Sequence, residues 1–387
     1  MTSKSGHGVA AAAQLPWSGM LAWRMARQHL AARAPRDAML DVVTDLCGVH
    51  AQLMSSAELT LWARVEGIQP DDVQAALWSE RSLVKTWAMR GTLHLLRSRD
   101  FPRWVAAQSH RPSRAGDAAW LRYFGMTGVD IDAILAAIPA ALSDGPLTRR
   151  ELADAVGART GNAELGDKVR ESWGAVLKPA AFQGALCFGP DRDRNVTFVA
   201  PERWLPAMPE VNADDAMPQV IRDYLAVYGP ATRDDLARWF GLRSPAQAGR
   251  LLAGLGDELV TVDVEGTAHH ARAADIAGLA AAEPSGAVRL VPAFDQYVVT
   301  APRAIDAVLP VEFRPRVYRP QGWLSPVLLV DGRMAGTWRH ERKGNRLTVE
   351  ITPFAPLPET IKHAAAEEAE RLAAFLGGTL ALSWSDT

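Results

Sequence analysis

Cysteine is almost absent: Cys47 and Cys187 are the two thiols in 387 residues. Two thiols build neither a disulfide framework nor a four-thiolate metal site, and a reduced cytoplasm is the simplest compartment. Long apolar runs are missing as well. No stretch approaches the roughly 18 uninterrupted apolar residues of a membrane-spanning helix. The opening MTSKSGHGVAAAAQLPW lacks the apolar core of a signal peptide. Charge of one sign is missing too, with 42 Lys and Arg against 44 Asp and Glu, a formal net charge of −2. That excludes a uniformly basic, histone-like protein but not a nucleic-acid binder, which needs only a basic face.

Familiar catalytic signatures are absent. There is no Walker loop, no Gly-x-Gly-x-x-Gly after a strand and no Gly-x-Ser-x-Gly elbow. His269-His270 is the one adjacent His pair. On an extended wing strand its two rings face opposite sides, so it reads as structural rather than as a metal site. Neither a cofactor nor a metal is implied.

An internal repeat organises what is present. Gly145-Pro-Leu-Thr-Arg-Arg-Glu-Leu-Ala-Asp-Ala-Val-Gly157 matches Gly229-Pro-Ala-Thr-Arg-Asp-Asp-Leu-Ala-Arg-Trp-Phe-Gly241 at seven of thirteen positions. In each copy Gly-Pro ends the preceding element and Thr148 or Thr232 caps a helix, with Glu151 or Asp235 completing a capping box. Gly157 and Gly241 are positioned to close these helices in a left-handed turn.

After Gly241, a helix over 246–255 leads to the alternating strand Leu259–Val264 and a turn at Gly266. After Gly157, a helix near 168–182 precedes strand-like runs around 185–188 and 196–199. Helix, turn, helix and a two-stranded wing make a winged helix. The N-terminal part reads as a third, divergent copy, with helices at 21–30, 39–47 and 73–78 and a hairpin of strands 83–88 and 92–96 around Met89-Arg-Gly91. Beyond residue 285 short strands dominate, at 288–291, 297–300, 327–330, 334–338, 347–351 and 379–382, with one helix over 358–376. The expected fold is therefore α+β: three tandem winged-helix units at 16–116, 117–206 and 215–275, then a β-rich domain at 286–387. Thirteen scattered Trp suggest several separate small cores.

Charge is unevenly placed. Residues 1–115 hold 14 Lys and Arg against 9 Asp and Glu, and 81–114 hold eight cations, from Arg81 to Arg114, against Asp100. A basic first wing attracts a phosphate backbone, although a solvated basic face has the same composition.

One run carries possible chemistry, Gly48-Val-His-Ala-Gln-Leu53. If extended, it puts His50 and Gln52 on one face while Val49, Ala51 and Leu53 anchor the other. On a helix the two polar side chains would diverge by about 200°. A neutral imidazole beside a carboxamide can hold one water, His accepting its proton and Gln orienting it. An isolated His in an apolar frame is more often structural.

His50-Ala51-Gln52, the run Thr86-Trp-Ala-Met-Arg-Gly-Thr-Leu-His-Leu95, Pro292-Ala-Phe-Asp-Gln-Tyr297 and Val330-Asp-Gly-Arg-Met-Ala-Gly-Thr-Trp-Arg339 together resemble the AlkZ/YcaQ family of bacterial DNA glycosylases. The likeness runs from about residue 16 to 385. It implies three winged helices around a concave DNA-binding channel, with a β-rich C-terminal part. The family motif is Gln–apolar–Gln or Gln–apolar–Asp, and its polar positions fall on His50 and Gln52, with His replacing the first Gln. A His-bearing subgroup occurs among relatives that guard producers against bulky DNA-alkylating natural products.

The resemblance implies hydrolysis of the N-glycosidic bond of N7-alkylguanine in double-stranded DNA, by a monomer leaving an abasic site. Gln52 would orient the water and His50 would act as base or electrostatic support. Arg90, Thr92, His94, Lys85 and Arg97 are expected to meet the DNA backbone, His94 serving equally well as a structural residue. Trp87 is expected in the hairpin core. The alternative is a non-enzymatic winged-helix regulator, for which Gln247 and Arg250 on a recognition helix form a thin reading set.

Overall fold

The computed structural model describes residues 14–112 and 116–385. The opening segment tested for a signal peptide lies mostly outside them, as does Arg114. Among the described residues no single helix is long and apolar enough to cross a membrane, and no group of His, Cys, Asp and Glu is placed to hold a metal.

The chain is mixed α+β, with three three-stranded sheets and one of five strands among the described residues. The first three follow one plan. Two strands form a hairpin, and a very short third strand lies beside it. In the first unit Leu83–Trp87 and Leu93–Arg97 form the hairpin, and Val49–His50 pairs with Leu93–Arg97. In the second, Cys187–Arg192 and Asn195–Val199 pair, flanked by Leu147–Thr148. In the third, Leu259–Val264 and Thr267–Arg272 pair. Here Gln14–Leu15 from the chain's start adds a parallel strand, and Ala231 bridges to His270.

The repeat has the capping chemistry its residues dictate. Thr148 and Glu151 form a reciprocal box over the helix Arg149–Thr160, and Thr232 and Asp235 do the same over Arg233–Phe240. Gly241 ends the second of these helices at φ +85°. Gly157 does not end the first, contrary to expectation. That helix runs on to Gly161, at φ +66°. The crossing of this helix with Ala163–Glu171 requires a glycine at Gly166 instead, where an added Cβ would lie 2.6 Å from the Ala153 carbonyl oxygen.

Two other elements differ from the sequence pattern. The span 168–182 is two helices, Ala163–Glu171 and Lys178–Phe182, separated by a turn in which Trp173 and Gly174 are both left-handed. Residues 297–300 form no strand but the end of a short helix, Gln296–Thr300, because the Asp295 carboxylate accepts the Tyr297 amide at 2.8 Å and caps it. The remaining C-terminal strands assemble in sequence order into the five-stranded sheet, with the Glu359–Leu376 helix packed on it.

Two hydrophobic cores result, fewer than the scattered Trp suggested. One runs continuously through the first unit, the third unit and the C-terminal module. The other belongs to the second unit, and Trp87 is part of it. Trp87 leaves its own hairpin to pack between Phe188 and Phe198, at 4.8 and 6.1 Å between ring centroids.

The first unit and the C-terminal module are joined by a fully buried ion pair. Arg64 donates two parallel hydrogen bonds to Asp295, at 2.7 and 2.8 Å, and a third to the Thr60 carbonyl at 2.9 Å. Removing one partner strands the other charge in the core, a loss of about 3–5 kcal/mol. Asp295→Ala should therefore lower unfolding stability in urea by about that amount. Arg64→Met combined with Asp295→Leu should recover much of it, and strict additivity of the two single losses would contradict the pairing.

Candidate active site

His50 lies on the two-residue strand Val49–His50, directly opposite His94. Val49 and Ala51 are fully buried on either side, and the Ala51 amide donates to the Leu93 carbonyl at 2.8 Å, so the extended geometry continues one residue past His50. The chain then bends at Gln52 and enters the helix Met54–Trp62. The Gln52 side chain is exposed, unlike that of His50. Leu53 does not anchor the buried face: it is also exposed, because the bend breaks the alternation there.

His50 is buried, with 5% of the residue exposed, and its ring meets two others. It stacks on Phe294 at 5.3 Å, with 16° between planes, and meets His94 edge-on at 5.5 Å. Phe294 holds a left-handed φ of +58°, a strained setting for an aromatic residue. Trp323, 45% exposed, meets its other side at 5.0 Å. The strand is fixed from behind, where Gln296 donates to the Gly48 carbonyl and Tyr228 to the Leu46 carbonyl. Nδ1 of His50 is buried without a hydrogen-bond partner.

His94 is fully buried. Its Nδ1 bonds the Thr92 carbonyl at 3.0 Å, so that nitrogen carries the proton, and Nε2 accepts from Arg90 at 3.4 Å. Arg90 occupies the hairpin turn at φ +58° and also donates to the Trp239 carbonyl at 2.6 Å. Burial, and then the Arg90 charge, pushes the His50 pKa down to about 3. Burial likewise drives His94 well below its ordinary range, with Arg90 and His50 adding to it. Burial lowers Arg90 itself to about 10, opposed by Tyr228 and assisted by the nearby cations Arg111, Arg238 and Arg303.

Arg90, Thr92 and His94 are thus gathered beside His50, while Lys85 and Arg97 are not. Lys85 is half-buried, its ammonium 5.4 Å from the Phe188 ring centre, and burial lowers its pKa against the pull of Asp191. Arg97 pairs with Asp41. Thr92 closes the hairpin turn, its hydroxyl donating to the Met89 carbonyl at 3.1 Å. Much of the basic run holds units together. Arg81 stacks on Trp204 at 3.9 Å, Arg103 pairs with Asp223 at 3.3 Å and Arg111 covers Phe182 at 4.6 Å. Phe294 lies in the run Pro292–Tyr297 already singled out by the resemblance, whereas nothing in the sequence pointed to Trp323, which packs on it, or to Arg238 and Arg303, whose charges act on Arg90.

Neutral His50 and His94 make stability acid-sensitive. In the unfolded chain histidines take up protons near pH 6.5, whereas folded His50 does so only near pH 3. Their contribution is complete above about pH 6.5 and is lost as pH falls through that window, by up to about 1.4 kcal/mol per pH unit for each ring. His50→Gln should therefore flatten the fall in unfolding free energy between pH 6.5 and 5 by about one ring's share. An unchanged pH dependence would show that His50 is not held neutral.

Comparison with known proteins places this geometry in context. Residues 43–375 match the AlkZ-like DNA glycosylase family. The chain is 37% identical over 367 residues to an interstrand DNA cross-link repair glycosylase from Streptomyces sahachiroi, covering 93% of this chain and 96% of the relative. It also superposes on the structure of S. sahachiroi DNA glycosylase AlkZ with a TM-score of 0.85 and 36% identity, covering 97% of this chain and all of the other. With both a family match across most of its length and a relative this similar, the chain belongs to the AlkZ-like DNA glycosylases.

Proposed function

We propose that this DNA glycosylase hydrolyses the N-glycosidic bond of N7-alkylguanine in duplex DNA, with His50 and Gln52 as its catalytic pair, leaving an abasic site. The observation that carries the reading is His50 itself: neutral, walled by Phe294 and His94, with one ring nitrogen unpartnered and an exposed carboxamide two residues on. N7 alkylation makes the base cationic, so it departs as a neutral molecule when the C1′–N9 electron pair moves to N9. No strong general acid is required. The demand is to place one water at C1′ as the sugar becomes oxocarbenium-like.

A His whose pKa is near 3 is a weak base. Its contribution is to accept a hydrogen bond from the water, oriented by Gln52, and once the C1′–O bond has formed the proton passes to bulk solvent, because His50 is too weak a base to keep it. The relative's name refers to interstrand cross-link repair, which supports extending the substrate range to bulky or crosslinking adducts and the role to genotoxin resistance.

We place three winged-helix units at residues 16–116, 117–206 and 215–275 and the β-rich part at 286–387, around a DNA channel. Their common strand plan supports this. Of the five residues read as backbone contacts, Lys85, Arg90, Thr92 and Arg97 are all half-buried, with the Arg90 guanidinium engaged by the Trp239 carbonyl and His94, and fully buried His94 acts by holding Arg90 beside His50. The regulator reading loses Gln247, whose amide is engaged with the His110 carbonyl at 2.7 Å and the Arg243 amide at 3.0 Å.

Single-turnover release of 7-methylguanine from methylated duplex tests the assignment. His50→Ala and Gln52→Ala should each slow release by about 10²-fold or more at unchanged DNA affinity, the range for losing a positioned proton-handling group. The wild-type rate should also be flat from pH 8 to 5, since His50 protonates only near pH 3. Unchanged rates in both variants, or loss of activity through pH 6.5, would exclude this pair in these roles.

A further inference from the structure

Outside the candidate active site, the second unit carries an open groove of about 900 Å³. It lies between the start of the Arg149–Thr160 helix and the tip of the Cys187–Arg192/Asn195–Val199 hairpin, with Trp173 on its wall. Trp173 is 90% exposed, the most exposed of the large apolar residues, and its ring makes no contact with another described aromatic or cationic group. Its φ of +51° is left-handed, an unfavourable conformation for a bulky L-residue.

Nothing loose sets this conformation. Ser172 is buried and its carbonyl accepts the Ala175 amide at 2.9 Å, and Gly174 lies against Trp87, whose ring would be 2.8 Å from an added Cβ. The turn is tied on both sides and projects the indole into solvent. Burying an indole elsewhere is the ordinary outcome, so a strained, wholly exposed one marks a surface with an occupant.

The groove's charge indicates the occupant. Five arginines line it against Glu151 and Asp193. Arg170 pairs with Asp154 and Asp167, and Arg192 with Glu151. The side chains of Arg149, Arg150 and Arg194 make no ion pair or hydrogen bond among the described residues, and the Arg149 Nε is buried without a partner. The same turn continues into a second cleft, of about 560 Å³, where Ala175 and Lys178 face Arg90 and Gly91 of the first hairpin. The turn that carries Trp173 thus links the groove to the cleft that Arg90 lines.

We propose that this groove is a second DNA-binding site, in which Arg149, Arg150 and Arg194 hold backbone phosphates and Trp173 stacks on a base that has lost its neighbour. The proposal rests on the reading of the chain as an enzyme acting on DNA. It explains why the turn holds a residue that the local backbone disfavours. It also supplies phosphate contacts that the first hairpin, with its cations engaged inside the protein, provides only in part.

The test is equilibrium binding of the full chain to a fluorescent duplex carrying one abasic-site analogue, at several salt concentrations. Trp173→Gly, which suits the left-handed φ, should melt no lower than wild type yet bind about 5- to 150-fold more weakly, the range of a lost base–aromatic stack. Trp173→Phe should retain most of the affinity. Arg150→Ala and Arg194→Ala should each reduce the slope of log affinity against log salt by about 1.

Unchanged affinity in Trp173→Gly, or unchanged salt slopes in both arginine variants, would overturn the proposal, and a pulled-down protein partner lost in Trp173→Gly with DNA affinity intact would do the same. Base release at saturating protein separates the two readings. A chain that binds duplex through Trp173 but releases no base removes the glycosylase assignment and leaves this one standing. Normal release with no Trp173-dependent affinity removes only this one.

Discussion

The buried pair Arg64–Asp295 is the constraint on which the candidate site rests. Burying two full charges is costly, and the geometry offsets it by satisfying them: two parallel bonds between the partners, the Thr60 carbonyl for Arg64 and the Tyr297 amide for Asp295. Only the Arg64 Nε remains without a partner. Arg64 follows the helix that begins after Gln52, and Asp295 lies between Phe294, which covers His50, and Gln296, which holds the Gly48 carbonyl. One ion pair thus sets the distance between the strand that bears His50 and the module that walls it. A hydrophobic contact of the same area would hold the two parts together but would not fix their register.

The position of the site follows from comparing the three sheets. Thr148 pairs with Thr197 on a short edge strand and then caps a helix that starts at the next residue. His50 pairs with His94 in the same way, but the helix begins only at Met54, and its N-cap Leu53 gives no side-chain bond. Three residues, Ala51-Gln52-Leu53, stand where the other copies have an immediate cap. At this junction the first unit lacks the side-chain cap of the other two, a device of about 1 kcal/mol, and Gln52 is exposed two residues after His50.

Electrostatics has a similar division of labour. Arg81, Arg103 and Arg111 bind Trp204, Asp223 and Phe182, so much of the surplus charge near the first hairpin fastens that hairpin to the second and third units. The positive field at His50 comes from Arg90, whose own charge is disfavoured in turn by Arg111, Arg238 and Arg303. That field and burial keep His50 and His94 neutral, a state suited to accepting a hydrogen bond from water.

Local physics was readable without coordinates. Capping boxes at Thr148 and Thr232, the hairpin around Met89-Arg-Gly91, the strands at 259–264 and 327–330 and the extended run through His50 each depend on neighbours within a few residues. Misreadings arose where a distant group intervened. Asp295, tied to Arg64, turned an apparent strand at 297–300 into a capped helix, and the helix expected to end at Gly157 ran on to a left-handed cap at Gly161. Trp87 was drawn from its own hairpin into the second unit's core. The sequence alone determined which residue types stand at the strand-to-helix junction, because alternation is a property of the chain. Only the tertiary structure decided that Phe294, His94 and Arg90 surround His50, because desolvation and charge act through space.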